Sequence, residues 1–284
     1  MMRMMKKLTL SVASILLCAA SLPAQETSAA DFKARYERLV RNLGYAGVGI
    51  ETVLDRWEEA FPDDMDVPVA RFNYYFTKSQ SSEVLPHPGV RRYLGNPPTL
   101  TLKDNDGNDV NYFEEYFYDE ELFGEAMKVL DTQIAAHPDE LRWHYLKISA
   151  LNAYEKGSPD MAAAELKKLI ARQASARPSW TLDGEAAGDD IFAQGVGEYC
   201  YDFFQAGTPQ SYEYFREISE KMNKLYPRNT VFIDNLGSYW LVAQNNEKQA
   251  VKFYKKALKT DPDDAVALRN LRIIERRQAQ GKKK

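Results

Sequence analysis

The side chains that could do chemistry are few and scattered. The histidines are His87, His137 and His144, and no two sit four apart, the spacing that puts paired imidazoles on one helix face around zinc. Cys18 and Cys200 lie far apart, so no two-cysteine zinc motif exists. Cys200 falls on the packing side of a helical pattern, which makes it a core thiol rather than a nucleophile. Gly195-Val196-Gly197 is interior to that pattern and follows no strand, so it does not form a phosphate loop. The run Asp104, Asp106, Asn108, Asp109 with Glu115 has the alternating oxygens of a calcium loop. Such a loop needs glycine at its sixth position, where Asp109 stands, and its flanks here read as strands, so a solvated turn is expected. No serine elbow appears. The chain is expected to be non-catalytic, without metal or cofactor.

Recognition is the remaining chemistry, and the aromatic residues carry it. They cluster at Phe72–Phe76, at Tyr112–Tyr118 and at Tyr199–Phe215. Most must be core, but consecutive aromatics cannot all face inward on one helix. Some of Tyr74, Tyr75, Tyr116, Tyr118 and Tyr201 should therefore reach the surface, where a ring with a hydroxyl suits a peptide or a glycan.

The elements that position these residues repeat. Ile233, Leu236, Gly237 and Trp240 recur at helical spacing, as do Ala250, Tyr254 and Ala257, and Pro262 closes the second helix. Gly237 and the two alanines permit close helix approach. This unit, residues 230–262, resembles the tetratricopeptide repeat, with the loop QNNE one residue longer than that family's norm. Degenerate echoes precede it: Ala126, Leu130, Gln133 and Pro138; Trp143, Leu146 and Ala150 with Ala162, Leu166 and Leu169; Ala193, Val196, Gly197 and Cys200 with Ser211, Phe215 and Ile218. Near the start, Ile50, Leu54, Trp57 and Pro62 read as one more second helix, and residues 68–79 open the next pair. The resemblance implies an all-α, right-handed solenoid of helix pairs over residues 31–280.

Two segments break the period. Residues 80–118 are rich in Pro and Gly, and TLTLKD and NYFEEYF flank Asp106-Gly107 as a β-hairpin. Residues 174–189 read as a loop between helix pairs. A helix over about 264–280 is rich in arginine and reads as the polar cap of the stack, with a basic tail at 281–284.

In tetratricopeptide solenoids the first helices line a concave binding face. Opposite each packing stripe lie Leu141, His144, Ile148 and Asn152; Gln194, Glu198, Tyr201 and Asp202; and Asp234, Ser238 and Leu241. The candidate ligand-binding residues are thus His144, Asn152, Gln194, Glu198, Tyr201, Asp202 and Asp234. This mildly acidic face suits a basic or amphipathic segment of another protein; a glycan or small ligand is the alternative.

Residues 1–24 have the charged start, apolar stretch and small-residue exit of a secretory signal, with cleavage expected after Ala24 or near Ala29–Ala30. Cys18 as a lipidated cysteine is the less favoured option, because Leu17 precedes it where a small residue is usual. Removing the leader takes the net charge from −4 to −7, which argues against a nucleic-acid binder. No later stretch is long and apolar enough to span a membrane. The expected location is the periplasm or outside the cell.

Overall fold

The computed structural model describes residues 28–281; the expected leader, Cys18 and Lys282–Lys284 lie outside them. The described chain is mostly helical with one small antiparallel sheet. Helix α1 (Ala29–Leu43) packs on α2 (Ile50–Ala60), and α2 on α3 (Asp66–Ser79). Three strands follow: β1 (Gln80–Pro88), β2 (Leu100–Lys103) and β3 (Asp109–Tyr118). Next comes α4 (Glu120–Ala136), which packs on α3 although the sheet separates them in sequence. Helices α5 (Leu141–Glu155) and α6 (Asp160–Ala176) form a pair, then a two-stranded ribbon of β4 (Thr181–Leu182) and β5 (Glu185–Ala186) intervenes. Helices α7 (Asp189–Ala206) and α8 (Pro209–Leu225) pair next, then α9 (Thr230–Ser238) and α10 (Glu247–Thr260), and α11 (Ala265–Gly281) packs on α10.

Local chemistry sets the helix ends. Ser28 and Asp31 form a reciprocal capping box on α1, and Thr208 with Ser211 does the same on α8, where Pro209 opens the first turn. Asp119 caps α4 and Asn246 caps α10 through their side-chain oxygens. Apolar stripes then drive the packing. Trp57, Leu130, Trp143, Phe192, Phe215 and Tyr254 are all under 2 % exposed. Truncating Leu130 to alanine should cost about 2–5 kcal/mol, the range for opening a buried cavity. At Gly237 a Cβ would come within 2.6 Å of the Tyr254 ring, so the expected close approach of α9 and α10 holds.

The sheet differs from the expected hairpin in having a third strand. Turn residues Asp104–Asn108 join β2 to β3 as expected, with Gly107 at φ +81°. Asp104 accepts from the backbone N–H groups of Asp106 and Asn108 at 2.9 and 2.8 Å, an Asx-type turn. The added strand β1 continues directly from α3 and pairs along β3, Gln80 with Tyr118 through Pro88 with Val110. Its prolines signalled only the end of the helix; they are tolerated because β1 is an edge strand in the order β1-β3-β2. Residues 174–189, expected as a loop, hold the β4–β5 ribbon, whose turn residues Asp183 and Gly184 both have positive φ.

Helix α9 also ends differently from a plain helical turn. Tyr239–Ala243 forms a π-helical turn, and Gln244 N–H bonds back to the Tyr239 carbonyl at 3.2 Å. Such π turns occur mainly as single turns within a helix, and this one leads into the short loop 244–246 before α10.

Candidate binding site

Helix α7 presents two faces. Phe192, Ala193, Val196, Tyr199, Cys200 and Phe203 are buried, while Gln194, Glu198, Tyr201 and Asp202 are exposed. Those four expected site residues line one groove of about 620 Å³ between α7 and the start of α9, closed by Asn229 and Val231. Asp190 completes an acidic wall, and no Lys or Arg is among the lining residues. Glu198 accepts weakly from Gln194 at 3.3 Å, and Tyr201, 60 % exposed, accepts from the Gln205 amide. Although its side chain reaches solvent, partial loss of hydration against the helix surface, then the neighbouring Glu198 charge, pushes the Asp202 carboxyl up.

Gly195, rather than Gly197, makes the close approach on this helix. A Cβ at Gly195 would sit 2.4 Å from the Tyr145 hydroxyl of α5, whereas Gly197 faces the groove with Val231 as its neighbour at 3.6 Å. Cys200 is fully buried; burial pushes its thiol up to about 12, so it is a core residue.

Asp202 also lines a second concavity of about 450 Å³, where α5 and α7 meet the sheet. Asn152, another expected site residue, is here with Ala153, Lys156 and Gln205. The opposite wall comes from the insertion: Tyr93, Asn96, Glu114, Glu115 and Tyr116. Sequence reasoning missed this wall, because helical periodicity says nothing about where an inserted sheet folds back. The nearest signal was the run of aromatics at 112–118; Tyr116 is 44 % exposed, and Tyr74, also a candidate, is buried.

At the base of this crevice Glu115 is the hub of a polar cluster. It accepts from His87 at 2.8 Å and from Tyr93 and Lys156 at 3.2 Å each. Burial works against its charge, but the bonds from His87 and Lys156 outweigh it and hold the carboxyl below its usual range. Lys156 also lies 4.3 Å from the Phe117 ring centroid. Close contacts seat the insertion on the helices: a Cβ at Gly95 would meet the Gln205 carbonyl at 2.7 Å, and one at Gly157 the Leu94 side chain at 2.9 Å.

Five residues assigned to the exposed face need correction. Asp234 is 4 % exposed and faces Asp264, not the groove; burial first, then the Asp264 charge, pushes its carboxyl up to about 8. His144 is half-buried, bonds the Pro138 carbonyl at 2.9 Å and packs edge-on against Trp180; burial holds its pKa down. Leu141, Ile148 and Leu241 are core residues at 0, 1 and 8 % exposure. The common cause is that α5 and α9 are covered on more than one side. Glu140, for example, clasps the β4–β5 ribbon over the start of α5, accepting from the N–H groups of Asp183 and Gly184 and from the Thr181 hydroxyl. No protein-family model matches the chain, and no curated protein sequence is similar to it.

Proposed function

We propose that the chain is an exported, non-catalytic scaffold of tetratricopeptide-type helix pairs. Its groove between α7 and α9 binds a basic or amphipathic segment of another protein. One observation carries this reading: Gln194, Glu198, Tyr201 and Asp202 line a single groove, with carboxylates on its wall and no cation among its lining residues. Glu198 and Asp202, four apart on a helix, repel each other by a few tenths of a kcal/mol. A lysine or arginine side chain between them relieves that repulsion, and the exposed ring of Tyr201 offers it a cation–π surface. The test is titration of a labelled lysine-rich amphipathic peptide, followed by anisotropy, together with recovery of partners from the native envelope. The double variant Glu198→Lys, Asp202→Lys should remain folded and bind at least about tenfold more weakly. Binding should also weaken on acidification, as the raised Asp202 carboxyl takes up its proton. Unchanged binding by the folded double variant would remove the groove from consideration.

A second reading is a glycan or small-ligand binder. It is favoured by the crevice that gathers Tyr93, Asn96, Tyr116 and Asn152, flat rings beside amide groups. Calorimetry with oligosaccharides, with loss of heat in Tyr116→Ala, separates it from the first.

A further inference from the structure

A second charged surface lies on the helices that follow the groove. Between residues 247 and 281 the sequence has nine Lys and Arg against five Asp and Glu, within a chain whose total charge is negative. On α10, Lys248, Lys252, Lys255 and Lys259 are exposed. They project opposite the buried stripe of Ala250, Tyr254 and Ala257. On α11, Arg269, Arg272 and Arg276 are exposed opposite buried Ala267 and Ile274. None of these cations belongs to an ion pair among the described residues.

We propose that the α10 lysine face docks into the α7–α9 groove of a second copy of this chain, so that copies associate head to tail. The inference rests on reading that groove as a site for a basic segment. Sign and length both match. From Asp190 to Asp202 the acidic wall runs about 18 Å along α7, and from Lys248 to Lys259 the lysine stripe runs about 16 Å, at 1.5 Å per residue. Within one chain neither surface is neutralised, and the two lie on different elements. A ridge one helix wide suits a groove between two helices better than it suits a flat anionic surface. Because the two patches differ, the contact is heterologous: each copy leaves one groove and one lysine face open.

Sedimentation of the full chain at low and high salt tests this. At low ionic strength the average mass should rise with protein concentration. It should return to that of the monomer near about 1 M salt, where the Debye length is about 3 Å. The triple variant Lys252→Glu, Lys255→Glu, Lys259→Glu and the double variant Glu198→Lys, Asp202→Lys should each lower the association constant at least about tenfold. Mixing the two should restore association, since each supplies the surface the other has lost. Circular dichroism of each variant keeps misfolding distinguishable from lost contact. A chain that stays monomeric at low salt, or variants that associate as well as the parent, would overturn the proposal. So would a monomer whose lysine face binds phosphatidylglycerol vesicles or an oligonucleotide instead. If the labelled lysine-rich peptide still binds a monomeric parent, the groove reading survives and only self-association falls.

Discussion

Asp234 on α9 is 4 % exposed and lies against Asp264, whose Oδ1 caps α11 by accepting from the N–H groups of Val266 and Ala267 at 3.0 and 2.9 Å. With one carboxylate committed to the cap, the second is held protonated, with its pKa raised to about 8. An unfolded aspartate titrates near about 3.9. Between these values the folded chain binds the extra proton, so this group's contribution to stability is present at acid pH and is lost as pH rises toward 8. Asp234→Asn keeps an amide donor toward Asp264 and removes the ionisation. Compared with the parent, its melting temperature should be nearly equal at acid pH and higher by at least about 2 °C above about pH 9. Equal melting temperatures in the alkaline range would refute this account. The same residue shows where helical geometry stops being informative. One buried stripe correctly put Gln194, Glu198, Tyr201 and Asp202 on the open side of α7, because that side has open space next to it. Asp234 and Ile148 occupy equivalent positions on helices with neighbours on several sides, and no angle counted from one stripe can foresee a second neighbour.

Among the elements, the helices from α2 onward were legible from the buried stripe in their own residues, even where, as in α2, α3, α6 and α7, no side chain caps the first turn; α1 was not. The β2–β3 hairpin was legible from Asp106-Gly107. The edge strand β1 was not: Pro86 and Pro88 argue against a strand until the partner that leaves their nitrogens facing outward is known. Nor could local pattern show that the sheet returns to the ends of α5 and α7, where it builds half of the crevice. That return depends on a tight seat. Gly95 has φ +81°, and the atom a Cβ would strike is the backbone carbonyl of Gln205, which cannot swing aside as a side chain could. Gly95→Ala should therefore destabilise the fold by about 1–3 kcal/mol and displace the segment carrying Tyr93 and Asn96 from Gln205. Denaturant titration measures the first effect. Hydrogen exchange of the amides at 93–96 measures the second. An alanine variant with parental stability and parental protection there would show that the insertion is loosely seated.

Across the molecule, the buried apolar residues among the described ones divide into three clusters rather than one. The largest runs from Phe72 of α3 to Tyr239; a second joins α1, α2 and the other face of α3; a third joins Ile233 with α10 and α11. Helices α3 and α9 are the seams: Phe72 packs toward α4 while Ala70 and Tyr74 pack toward α2, and Phe232 and Ile233 point into different clusters. A chain built this way couples mainly neighbours, so damage to an outer cluster should stay local. Trp57 is the sharpest probe. It is 1 % exposed, packs near the Tyr36 ring, and donates its indole N–H to Asp64 at 2.9 Å. Replacing such a residue with alanine costs about 3–5 kcal/mol where the site cannot collapse. If the molecule were one cooperative core, that loss would lower protection everywhere by the same amount. With separate clusters, Trp57→Ala should speed amide exchange through α1, α2 and the facing side of α3, and leave the slow amides of α7 and α8 near their parental rates. Denaturant unfolding followed by far-ultraviolet circular dichroism should then gain an early phase carrying only a minor share of the helical signal. A single transition shifted as a whole, with α7 and α8 exchanging faster in step with α1, would show instead that the seam at α3 transmits the loss.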